Sequence, residues 1–228
     1  LRVPRQLQQI SSREVWQMTH RPYTPPAWQS KPLADGRVTL LVVPLKVQPD
    51  ERRISEACEI ESGAWAWRNG HDGSLEGRVN LPYAPGDLIW CRETYIGPYA
   101  YEVNEYKPKD WGNKPIWFPA DGPIPERFVG QFWHKARSPV TMPKWAARTW
   151  LCCTGVEVRR VQTITAYEAE RVGGVLSPQA EWGGLTHRFT FEVKWNRQHG
   201  PKPAVDLSFD ANPWAAFVAV EKISKEDV

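Results

Sequence analysis

Proline and tryptophan constrain this chain more than any other residues. It carries 21 prolines and 13 tryptophans against only 2 methionines. A proline inside a helix removes a hydrogen bond and clashes with the preceding turn. Tryptophan favours a pleated, half-buried surface. Together they argue against a helical bundle and for a β-rich fold with short helices and long loops. The 228 residues suffice for one large domain. No apolar run approaches the roughly eighteen residues of a membrane span. The first thirty residues mix charge, proline and polar groups without an apolar core, so the sequence predicts no secretory signal and a cytoplasmic location.

The net charge of +3 permits an anionic partner without demanding one. Its distribution is more informative. Between Gln131 and Arg160 the cations are Lys135, Arg137, Lys144, Arg148, Arg159 and Arg160, opposed only by Glu157. Ser138, Thr141 and Trp145 lie among them. Arginine offers a planar fork to phosphate, and tryptophan offers a face to an unpaired base. The other reading is a solvated basic surface over a tryptophan core.

The four cysteines, Cys58, Cys91, Cys152 and Cys153, form no C-x-x-C pair, which argues against a zinc ribbon; with no secretory signal expected, reduced thiols are the default. On a strand Cys152 and Cys153 point to opposite faces, and Cys91 reads as a small core residue. His20, His71, His134, His187 and His199 share no ligand spacing, so neither a metal nor another cofactor is expected.

Strand patterns cover Arg37–Val43, Leu88–Tyr95, Ile116–Phe118, residues 150–162 and Trp214–Ile223. Trp65 and Trp67 alternate like a short strand or hairpin. In the 150–162 strand Val156, Val158 and Arg160 share a side. Ser11–Glu14 and Thr165–Glu168 have the capping-box pattern, and the second opens a short helix closed by Gly173-Gly174. Residues 97–115 read as a loop insertion. Phe189, Phe191 and Val193 alternate with polar residues, which is strand periodicity. In a regular strand Glu93 shares an apolar face with Cys91 and Tyr95. A buried carboxylate there marks either a catalytic site or a structural ion pair with an arginine such as Arg148.

Several blocks, in order, carry a resemblance. They are Asp35-Gly36-Arg37-Val38-Thr39, Pro85-Gly86-Asp87 running into Trp90-Cys91-Arg92-Glu93-Thr94-Tyr95, and Pro119-Ala120-Asp121-Gly122. Lys135-Ala136-Arg137-Ser138 with Met142–Arg148, and Asp210-Ala211-Asn212-Pro213-Trp214, complete the set. They resemble a phage-associated branch of the ASCH family in the PUA-like superfamily. The resemblance implies a mainly β fold with short helices (α+β), a small PUA-like β-barrel over residues 31–228 decorated by loops, with residues 1–30 as an N-terminal extension. It implies a cleft near the segment after Gly36, a helix rather than a strand around Phe191–Asn196, and RNA or a modified nucleotide as ligand.

On this reading Arg37, Lys135, Arg137, Ser138, Lys144, Trp145 and Arg148 contact nucleic acid. A related branch resembles amidohydrolases with a Gly-x-Lys-x-x-Thr-x-Arg motif. Here the lysine position is Val38, the second threonine position Leu41 and the arginine position Val43; Thr39 survives between them. Valine and leucine cannot perform that chemistry. Glu93 remains as a catalytic candidate for a hydrolase or nuclease acting on modified nucleosides or RNA. A further alternative is a phage protein, at work in the host cytoplasm, that binds a host factor through the 97–115 loop and the N-terminal segment.

Overall fold

Alternation along two long antiparallel strands sets the architecture. The computed structural model describes residues 19–50, 53–61, 64–98, 115–128, 136–173, 186–200 and 205–228. Its elements are β1 (His20–Tyr23), α1 (Ala27–Ala34), β2 (Leu40–Pro44), β3 (Ile54–Glu61), β4 (Ala64–Asn69), β5 (Leu75–Arg78) and β6 (Leu88–Cys91). After several 3-10 turns come β7 (Trp150–Arg160), α2 (Ala166–Arg171), α3 (His187–His199) and β8 (Trp214–Ile223). A five-stranded sheet has the order β1-β6-β7-β8-β2, and a three-stranded sheet the order β3-β4-β5. The fold is mixed, with sheets dominant and few helices.

The central strands β7 and β8 bury residues on both faces. In β8, Trp214, Ala216, Val218 and Val220 join the core that faces the smaller sheet, where Trp65, Trp67 and Ile54 meet them. The Trp67 and Trp214 rings contact edge to face at 5.3 Å. The intervening Ala215 and Phe217 point to the opposite side, into a second cluster under α2 and α3. In β7, Leu151 and Cys153 face the first core. Trp150 and Cys152 turn to a third cluster with Phe118, Met142 and Ala147. A register shift between Cys153 and Gly155 then reverses the parity, so Val156 and Val158 share the face of Cys153. The four cysteines are free thiols.

The structure departs from the sequence reading at several places. The sheet does not close into a barrel: β1 and β2 are its edges. Pro22 and Pro44 stand in those edge strands, where a missing N–H blocks further pairing. The strand expected over Arg37–Val43 begins only at Leu40. The one expected over Leu88–Tyr95 stops at Cys91, where the Arg92 N–H to the Tyr23 carbonyl, at 2.7 Å, is the last rung of the pairing with β1. Tyr95 then makes a single bridge to Arg137, and Ile96 one to Trp117, which is all that remains of the strand at Ile116–Phe118.

Residues 187–199 are helical, with Phe191 and Trp195 buried one turn apart. Residue 30 lies inside α1, and His20–Tyr23 pair in parallel with β6 as a strand of the larger sheet. The capping pattern at Ser11–Glu14 and residues 99–114 of the loop insertion lie outside the described residues.

The capping box at Thr165 forms as its pattern predicts. Glu168 Oε2 accepts the Thr165 N–H at 2.9 Å, and Thr165 Oγ1 accepts the Glu168 N–H at 3.2 Å. Burial alone raises the Glu168 pKa; the Thr165 N–H and the Arg159 guanidinium outweigh it, and the net shift is downward. A lowered folded-state pKa adds stability above the ordinary carboxylate value of 4.5, lost as pH falls through the folded value. Glu168→Gln should therefore be less stable than wild type at pH 7, with the gap closing in acid, as urea titrations across pH will show.

Gly173 ends α2 at φ +94, where an added Cβ would lie 2.9 Å from Val38 Cγ2 and 3.1 Å from Pro32 Cβ. Gly173→Ala should cost about 1–3 kcal/mol in urea unfolding. An unchanged midpoint would contradict this packing.

Candidate functional site

The site is built where β6 and β7 run out. Their ladder ends with Trp90 opposite Trp150, extended by the Cys91 N–H to the Thr149 carbonyl at 3.0 Å. Glu93 and Arg148 lie just beyond. Glu93 is 2 % exposed. Arg148 holds it with two parallel bonds, Nη2 to Oε2 at 2.8 Å and Nε to Oε1 at 3.1 Å. The remaining arm of Arg148 reaches Asp121, and its guanidinium lies 4.1 Å from the centre of the Phe118 ring. Burial alone lowers the Arg148 pKa, but Glu93 and Asp121 more than offset it and the group is held charged.

The chain of charge continues outward. Asp121 meets Lys31 at 3.4 Å, Lys31 meets Asp35 at 3.0 Å, and Asp35 meets Arg37 at 3.2 Å. Arg37 is therefore exposed but already paired. Glu93 is not on a shared face with its neighbours, because the strand has ended: Cys91 lies in the core between the sheets and Tyr95 in the third cluster. The arrangement matches the structural ion pair with Arg148. A carboxylate fastened at both oxygens is poorly placed to move a proton.

The basic block divides accordingly. Arg137 is half-buried and its backbone pairs with Tyr95. Ser138 precedes a 3-10 turn, Pro139–Thr141, and its carbonyl accepts the Thr141 hydroxyl at 2.8 Å. Lys144 and Trp145 lie on the next turn, Lys144–Ala146, and both are exposed, Trp145 by 39 %. Lys144 Nζ contacts His20 Nδ1 and sits 5.4 Å from the Trp150 ring centre. Burial and the nearby Lys144 charge lower the His20 pKa, which favours the neutral imidazole that accepts from the lysine. The Trp145 carbonyl accepts from Lys225 Nζ at 2.5 Å. Lys135 lies outside the described residues.

The cleft expected after Gly36 is filled at its chemical positions. Val38 and Leu41 are 1 % and 0 % exposed and belong to the main apolar core. Thr39 accepts from Arg171 Nε at 3.0 Å. Trp65 and Trp67, which an exposed position would have marked as a partner surface, are buried; Trp28 packs against the second cluster, and Trp111 and Trp182 lie outside the described residues. Among the described residues no cluster of His, Cys, Asp and Glu is arranged to hold a metal, and no helix is long and apolar enough to cross a membrane.

One feature escaped the sequence reading altogether. A pocket of about 530 Å³ is lined by Arg21 and Pro22 of β1, Val43 and Pro44 of β2, Leu45, Lys46 and Val47 after it, Trp67, and residues 78–83. These segments are remote in the chain and come from both sheets, so no local pattern announces them.

Comparison of the chain with protein-family models, curated proteins and solved structures finds no match. Its own geometry therefore carries the functional argument. Arg148→Ala should cost about 3–5 kcal/mol, because it leaves Glu93 buried without a counter-charge. Lys144→Ala should stay within about 0.5 kcal/mol of wild type. Urea unfolding of the two variants distinguishes this assignment from one in which Arg148 is a free surface cation.

Proposed function

We propose that this protein binds single-stranded nucleic acid, RNA in the first instance, as a phage-associated ASCH member of the PUA-like superfamily. The observation that carries the reading is the turn Lys144–Ala146. It presents an exposed indole beside a lysine whose described polar neighbour, His20, is held toward its neutral form. Single strands are held without strict sequence preference by such pairings of a stacking face with a cation. Ser138 lies exposed just before the preceding turn and offers a hydroxyl donor.

The family blocks fit the fold in a way that supports the assignment. Gly36 and Gly86 take positive φ values of 74 and 88 at turns leading toward β2 and β6, and Asn212 takes 48 before β8. Asp87 accepts the Ala84 N–H at 2.9 Å and fixes the second turn. The implied helix near Phe191–Asn196 is present. The five-stranded sheet stays open, with β1 and β2 as its edges, so the β-rich character fits the superfamily but a closed barrel does not form. Binding rather than hydrolysis fits the buried Val38 and Leu41 and the doubly fastened Glu93.

The test is fluorescence anisotropy with labelled single-stranded RNA and DNA over a salt series. Affinity should fall as salt rises, with a slope reduced by about one in Lys144→Ala. Trp145→Ala should weaken binding about fivefold or more. No binding at low salt by the folded protein, or binding that neither variant alters, overturns the reading.

A further inference from the structure

The pocket between the sheet edges has its own chemistry. Its cations are Arg21, Lys46 and Arg78, and no carboxylate lines it. Arg21 is held by Asp87 at 2.9 Å behind the wall. Among the described residues, Lys46 and Arg78 have no ion-pair partner, and both are exposed. Two like charges left unneutralised beside a cavity raise the local concentration of an anion.

Beneath this rim the walls are apolar and stiff. Trp67 and Tyr83 are nearly buried, and Pro22, Pro44 and Pro82 add flat ring surfaces. The Asn80 amide adds a donor and an acceptor at the exposed edge.

The pocket is also held in shape. Gln48 Nε2 donates to the Leu45 and Trp214 carbonyls at 2.9 and 3.0 Å, and Gln48 Oε1 accepts the Trp214 N–H at 2.8 Å. This clamps the turn bearing Lys46 to the start of β8. Tyr83 donates its hydroxyl to the Pro22 carbonyl at 3.0 Å, tying the 78–83 segment to β1. The Val79 N–H to the Trp65 carbonyl, at 2.7 Å, ties the residue after Arg78 to β4. A preformed cavity with an apolar floor and few polar groups is the usual form of a small-molecule site, and its volume lies in that range.

We infer that this pocket binds a single nucleoside monophosphate unit, with the phosphate at Lys46 and Arg78 and the flat base against the proline and aromatic walls. The unit is either free or the end of a strand. The choice of ligand class rests on the nucleic-acid reading above; the pocket itself does not. Arg21 on β1 follows directly after His20, which touches Lys144, so the same strand serves both places.

Titration calorimetry with AMP, GMP, CMP and UMP, with the matching nucleosides and with decanoate tests this. The monophosphates should bind, the nucleosides about tenfold more weakly, and Lys46→Ala and Arg78→Ala should each lose about tenfold. Val193→Ala, on the exposed face of α3, should leave this binding unchanged. Strands with a 5′-phosphate outcompeting free monophosphates would identify the strand end as the source; the reverse identifies the free nucleotide.

Nucleosides binding as tightly as monophosphates, or decanoate binding more tightly than either, overturns the assignment. If oligonucleotides bind and respond to Lys144→Ala but no monophosphate binds, the pocket proposal fails and the nucleic-acid reading stands. Monophosphate binding without oligonucleotide binding has the opposite meaning.

Discussion

The pairing of β7 with β8, from Trp150 opposite Ile223 to Arg160 opposite Trp214, is the interaction on which the molecule depends. Each apolar cluster takes side chains from this pair of strands. Hydrophobic burial on both faces, rather than hydrogen bonding alone, stabilises such a central ladder. β6 and β2 attach to its two sides, and β1 follows β6. The edges β1 and β2 are then left facing a common pocket, and the prolines in each prevent closure by further strand pairing.

The same ladder explains the ion pair. Arg148 lies two residues before β7 begins and Glu93 two residues after β6 ends, so the strand pairing brings them together before any charge acts. Once formed, the pair anchors the irregular segment leading into β7, and Asp121 and Lys31 connect it to a 3-10 turn and to α1. The energetic weight of Glu93 lies in its burial. A charge so enclosed depends on its partner, and losing the partner costs more than the pair adds. This geometry takes Arg148 out of the set of cations available to an anion and leaves Lys144 with Trp145 as the exposed part of that block among the described residues.

Much of the fold was legible because local and tertiary preferences agree. β8 reads as a strand from Trp214 to Ile223, the long strand from residue 150 matches β7, and Thr165–Glu168 folds into its capping box. The segment 187–199 misleads because Phe189 and Val193 are exposed; only Phe191 and Trp195, four apart, reach the core. The Leu88–Tyr95 strand was overextended because its apolar residues serve two different clusters.

Glu93 was recognisable as a buried acid with Arg148 as one of its two possible explanations, and the geometry favours the ion pair. The pocket could not be read at all. Its cations come from Arg21, Lys46 and Arg78, and their proximity is a property of topology rather than of spacing.

The central claim is that nucleic acid engages the turn bearing Trp145 and the gap between β1 and β2. Photocrosslinking a short 5′-phosphorylated RNA containing 4-thiouridine, followed by peptide mapping, tests it most directly. The account predicts crosslinks in peptides covering Lys144–Ala146 and residues 78–83. Crosslinks confined to the exposed face of α3 around Phe189 and Val193, with neither of those peptides modified, would contradict it.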